Sequence, residues 1–167
     1  MTKEYIEIVI RKAIEDIENE TPRLPLEARI GERAVVGRLA LHLTKYFSDP
    51  ELSVDIEYNI DPVGDRKWLD AHEELSKAAK DVKRKVYEDG TIAVIPDVII
   101  HKRGTNEKNL AVIEVKFSDV RAKESSYARL KLTAFTQQPF EYIFGVLVSV
   151  PRVWEEFSMK AKIEFVQ

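Results

Sequence analysis

Asp97, Glu114 and Lys116 are charged residues set inside apolar runs. Asp97 falls within Ile95-Pro96-Asp97-Val98-Ile99-Ile100-His101, and Glu114 and Lys116 within Val112-Ile113-Glu114-Val115-Lys116-Phe117. A buried strand that carries charge must pair it or give it to a metal, because an isolated ion in a core is strongly disfavoured. Side chains alternate along a strand, so Glu114 and Lys116 share one face and Val115 takes the other. The polar stretch 102–109 separates the two runs and reads as the turn of a hairpin. That hairpin brings Asp97 beside Glu114. Two close carboxylates repel each other, and a hard divalent cation relieves the repulsion. The oxygen donors to expect are Asp97, Glu114 and the backbone carbonyl of Val115, and the ions to expect are Mg²⁺ or Mn²⁺.

The elements around these residues can be read from periodicity. Residues 4–20 carry Ile6, Val9, Ile10, Ala13, Ile14 and Ile17 at helical spacing, with Thr2 as N-cap and Pro22 as stop. Residues 21–26 read as a loop. A second helix is predicted over 26–47, and a half-buried strand over 52–60, where apolar and polar residues alternate. A turn follows at 61–64. Charged residues dominate 65–87, but Trp68, Leu69, His72, Leu75, Ala79, Val82 and Val86 suggest an amphipathic helix inserted between strands. Strands are predicted at 92–101 and 110–117, a helix at 118–135, an apolar strand at 141–150 and a short edge strand at 161–166. The expected fold class is α/β: a single domain over 1–167, with a mixed central sheet of four to five strands flanked by helices.

Composition narrows the function classes. Of 167 residues, 44% are hydrophobic and 33% charged, which suits a soluble globular protein and not a disordered one. No apolar run is long enough for a transmembrane helix, so no membrane partner is expected. The opening Met1-Thr2-Lys3-Glu4-Tyr5 lacks the apolar stretch of a signal peptide, and a cytoplasmic location is expected. Cysteine is absent, which excludes disulfides, thiolate zinc sites and cysteine nucleophiles. The net charge of −3 argues against a domain that only coats DNA. Basic residues nevertheless cluster locally: Lys77, Lys80, Lys83, Arg84 and Lys85 form one group, and Arg121, Lys123, Arg129 and Lys131 another. The three histidines show no metal-ligand spacing, and no glycine-rich phosphate loop is present.

Pro96-Asp97 followed by Glu114-Val115-Lys116, in the order helix, three strands, helix, strand, resembles the PD-(D/E)xK nuclease superfamily. The resemblance implies a restriction-endonuclease-like αβββαβ core, with the helical insertion at about 65–87. It implies a metal-dependent enzyme that hydrolyses phosphodiester bonds, in DNA before RNA. Asp97, Glu114 and Lys116 would be its catalytic set: the carboxylates hold the ion, and the lysine orients water or neutralises phosphate charge. Many members place a further metal-facing glutamate on the helix before the first strand, and Glu32 occupies that position. Members also put a basic side chain on the helix after the motif, facing the phosphate, and Lys131 matches. The inserted helix would grip nucleic acid along one side through Lys77, Lys80, Lys83 and Lys85, or form a dimer surface. A homodimer with one site per strand is left open. So is a catalytically inactive module of the same fold that binds nucleic acid or assembles complexes.

Overall fold

The N-terminal periodicity is realised as α1, Lys3–Asn19, whose Ile6, Val9, Ile10, Ala13, Ile14 and Ile17 are buried. The Thr2 side chain accepts a hydrogen bond from the Tyr5 N–H at 3.3 Å, satisfying one free amide of the first turn. The computed structural model describes residues 1–20, 30–47, 49–58, 60, 67–137 and 139–166. The expected Pro22 stop, the 21–26 loop and the 61–64 turn lie outside these.

Helix α2, Glu32–Tyr46, starts later than expected from 26–47. Gly31 is extended, and the Ile30 N–H donates to the Arg152 carbonyl at 3.1 Å. That tertiary bond holds the segment before Glu32 out of the helix. On α2, His42 is buried between Asp16 at 3.3 Å and Glu20 at 3.0 Å, tying the two helices together.

Strand β1, Ser53–Ile56, is shorter than the expected 52–60, because Glu57 adopts a φ of 48° that turns the chain out of extended geometry. The predicted helix over 65–87 is corrected. Its described part begins with a strand, β2 (Trp68–Asp70), continues as a short helix, α3 (Glu73–Asp81), and is irregular thereafter. Around Leu69 burial alternates rather than turning with a helix, and Leu69 pairs with Ile92 of β3, Thr91–Ala93. Strands β2 and β3 thus form a separate two-stranded sheet. The predicted strand 92–101 is therefore split into β3 and β4, Val98–His101, with Pro96 in the break. Proline has no N–H to give a ladder, so a strand cannot pass through it as an interior member.

The remaining elements are β5 (Ala111–Phe117), α4 (Ala122–Phe135), β6 (Phe144–Val150), α5 (Phe157–Lys160) and β7 (Lys162–Val166). The fold is α/β, with a five-stranded mixed sheet in the order β1-β4-β5-β6-β7. β1, β4 and β5 are antiparallel, while β5 and β6 are parallel. A parallel pair needs a crossover, and α4 supplies it. Among the described residues, no helix is long and apolar enough to cross a membrane.

Each sheet face has its own core. Val98, Ile100, Ile113, Val115 and Val148 pack toward α1 and α2, while Ile99, Val112 and Leu147 pack toward α4. Alternation then puts Asp97, Glu114 and Lys116 on the α4 face. Helix α4 rides close on β6 because Gly145 lacks a side chain: a Cβ there would sit 3.3 Å from the Cβ and carbonyl oxygen of Leu132. Gly145→Val should push α4 off the sheet and lower stability by about 1–3 kcal/mol, measured by urea denaturation. An unchanged midpoint would show that α4 is not seated this tightly.

Candidate active site

The register of the hairpin builds the site. Val98 pairs with Ile113, so one step further sets Asp97 opposite Glu114, and the next sets Pro96 opposite Val115. At that point Pro96 has no N–H to offer. The Val115 N–H donates to Asp97 Oδ2 at 2.8 Å, and the Asp97 N–H donates to Glu114 Oε1 at 3.3 Å. The end of the ladder is thus closed by carboxylates rather than by backbone.

Glu114 is only 1% exposed. Its Oε1 lies 2.6 Å from the Lys131 ammonium, which also donates to the Ile95 carbonyl at 3.3 Å. Burial pushes the Glu114 carboxyl above its ordinary range; Lys131 opposes that push, and the Asp97 charge adds to it. Lys131, expected to face a phosphate, lines the cleft but is largely buried and ion-paired to Glu114.

Lys116 has a different set of partners. Its ammonium donates to Glu32 Oε1 at 3.0 Å and to the Val115 carbonyl at 2.9 Å, and lies 3.7 Å from Asp97 Oδ2. Burial works to lower its pKa, but the combined charges of Asp97, Glu114 and Glu32 outweigh burial and hold it above the usual lysine value. Glu32 reaches this point because it opens α2, whose first turn overhangs the end of β5. Three oxygen groups thus surround one cationic centre. They are hard donors of the kind that suit Mg²⁺ or Mn²⁺, and the Lys116 ammonium stands among them. Among the described residues, no group of three or more acids or histidines is arranged to hold a metal by itself; here the acids are interleaved with lysines.

These side chains form the floor of an open cleft of about 780 Å³. Its walls bring in residues that sequence reading did not assign to the site: Arg33 on α2, Arg84 after α3, and Tyr127 on α4, one turn before Lys131. Burial raises the Tyr127 phenol pKa, and Arg84 opposes the rise. None of these three sits in a motif; only their convergence in space marks them. Lys77, Lys80, Lys83 and Lys85 are exposed, but only the first two lie on α3 and none lines the cleft. They do not share a helix side, as had been expected. His101, at the end of β4, pairs with Asp55 at 3.0 Å and stays out of the cleft. Comparison with protein-family models, curated proteins and solved structures finds no match to the chain.

The Glu114–Lys131 pair makes two predictions. Lys131→Met strands a buried carboxylate and should cost about 3–5 kcal/mol, whereas Glu114→Gln combined with Lys131→Met should cost clearly less than the two single changes summed. Urea denaturation of the four proteins checks this, and strict additivity would rule out the coupling. The second concerns pH. With its folded pKa raised, Glu114 keeps a proton in the folded chain that the unfolded chain has already lost, so metal-free stability should fall as pH rises from the ordinary carboxylate range through the raised value. In Glu114→Gln that part of the slope should vanish.

Proposed function

We propose that the chain is a metal-dependent nuclease of the PD-(D/E)xK type, acting on DNA. The observation that carries this is Asp97, just before β4, hydrogen-bonded to Glu114 of β5, with Lys116 3.7 Å from Asp97, at the floor of an open cleft. The order α2, β1, β4, β5, α4, β6 and the mixed strand directions agree with the core that such nucleases share. Asp97, Glu114, Glu32 and the Val115 carbonyl are the groups that would hold a Mg²⁺ or Mn²⁺ ion. When bound, such an ion lowers the pKa of a coordinated water and neutralises charge on the scissile phosphate. The Lys116 ammonium must then leave its oxygen partners, and from the same floor it can meet a phosphate oxygen. Lys131 remains paired with Glu114 and keeps its burial tolerable. The Pro96 break keeps the Val115 carbonyl out of the strand ladder.

A second reading is an inactive module of the same fold. It is favoured by one observation: Lys116 and Lys131 already neutralise much of the acid cluster without any ion. Metal binding separates the two. Under the nuclease reading, calorimetry shows Mn²⁺ binding that Glu114→Gln loses. Lys116→Met should bind Mn²⁺ more tightly than the native chain, because it removes the competing ammonium. With Mg²⁺ or Mn²⁺, the native chain should cleave plasmid DNA, and Asp97→Ala or Lys116→Ala should lower the rate by at least about a hundredfold. A native chain that binds no Mn²⁺ and cuts no plasmid would leave the inactive module as the better account.

A further inference from the structure

The basic cluster at 77–85 looks uniform in sequence, but the fold sorts its members. Lys77 and Lys80 lie on α3, Lys85 stacks over the Tyr87 ring at 4.3 Å, and Arg84 alone of the cluster lines the cleft. The turn that places it is specific. The Arg84 N–H donates to the Ala79 carbonyl at 2.8 Å and the Lys83 N–H to the Lys80 carbonyl at 2.9 Å. This is a Schellman ending of a helix, in which the residue at the Lys83 position is usually glycine because it must be left-handed. Lys83 adopts it with a φ of 60° and bears the strain that a side chain meets there. Lys123 on α4 donates to the Asp81 carbonyl at 2.8 Å, which fixes the helix end against α4. Arg84 is therefore held in place by backbone and by a neighbouring helix. Its guanidinium forms no ion pair among the described residues. Arg33, on the α2 side of the cleft, has a side chain 93% exposed and pairs with Glu57 at 3.7 Å.

A guanidinium is charged at all working pH values, and its planar fork matches two phosphate oxygens. The cleft floor is rich in acids, so a polyanion entering it needs cationic anchors on the walls. We propose that Arg84 grips the phosphodiester backbone of the substrate, at a phosphate beside the one that lies over Asp97 and Glu114. This rests on the nuclease reading and names the residue that seats the strand. It moves that role from Lys77, Lys80, Lys83 and Lys85 to a residue that faces the chemistry.

The test uses a fluorescently labelled DNA duplex, bound in EDTA over a range of KCl concentrations, and then cleaved with Mg²⁺. Arg84→Ala should weaken binding and raise KM by about tenfold, lower the salt slope by about one, and leave kcat within about twofold. Arg84→Lys should recover part of the binding. Lys77→Ala should change little. Lys83→Gly, which keeps the left-handed turn, should bind as the native chain does, while Lys83→Pro, which forbids positive φ, should mimic Arg84→Ala with the arginine intact. Thermal melts of each variant confirm folding. Native cleavage with Arg84→Ala unchanged in binding, KM and salt slope overturns the proposal and leaves the nuclease reading standing. A native chain that neither binds nor cuts the duplex overturns both.

Discussion

A carboxylate is not kept in a protein interior unaided, and Glu114 is in one. Each neighbouring element answers that requirement. Lys131 brings a countercharge 2.6 Å away, and the Asp97 N–H adds a hydrogen bond. For Lys131 to reach, α4 must lie close on the sheet, which the missing side chain of Gly145 permits. For Asp97 to reach, β4 must stop pairing one residue early, which Pro96 enforces. The hairpin, the crossover helix and the packing of β6 are thus coupled through one buried charge. A buried ion pair of this kind adds little net stability compared with apolar packing. Its presence accords with the metal-holding role proposed for the carboxylate.

The other half of the site is balanced differently. Glu32, Asp97 and Glu114 bring three acids, and Lys116 and Lys131 bring two bases. Lys131 is paired with Glu114, Lys116 with Glu32 and Asp97, and all five line the cleft. This cluster carries one more acid than base, and the cleft lining adds Arg33 and Arg84 together with Glu57 and Glu124. Under the proposed function, this polarity would draw a small cation to the floor and leave anionic groups to the arginines.

Much of this was legible in the chain, because local patterns set it. Alternation along 110–117 put Glu114 and Lys116 on one face, and the polar loop at 102–109 implied the hairpin that sets Asp97 opposite. The six buried positions of α1 followed from spacing alone. What was not legible depended on contacts between distant segments. Residues 65–87 carry a periodicity that suits a helix, but Leu69 is drawn into a strand by Ile92. The Pro96 break was visible, and an apolar run on both sides of it concealed that the two halves belong to different sheets. Lys131 was found, but its partner was not, since a 2.6 Å contact between a strand and its crossover helix leaves no trace in either segment. Arg84 was hidden among lysines because no composition rule predicts that Lys83 turns left-handed.

Lys116 is bound to the same chain as the oxygens it touches. A tethered ligand has an effective concentration fixed by geometry, which dilution does not lower. Potassium and sodium in the medium must compete with an ammonium that is always present, and as single charges they gain nothing over it. Only an ion of higher charge density repays the loss of the lysine contacts. On the nuclease reading the cluster would thus act as a valence filter, favouring a divalent ion over the abundant monovalent ones without needing a cavity cut to size.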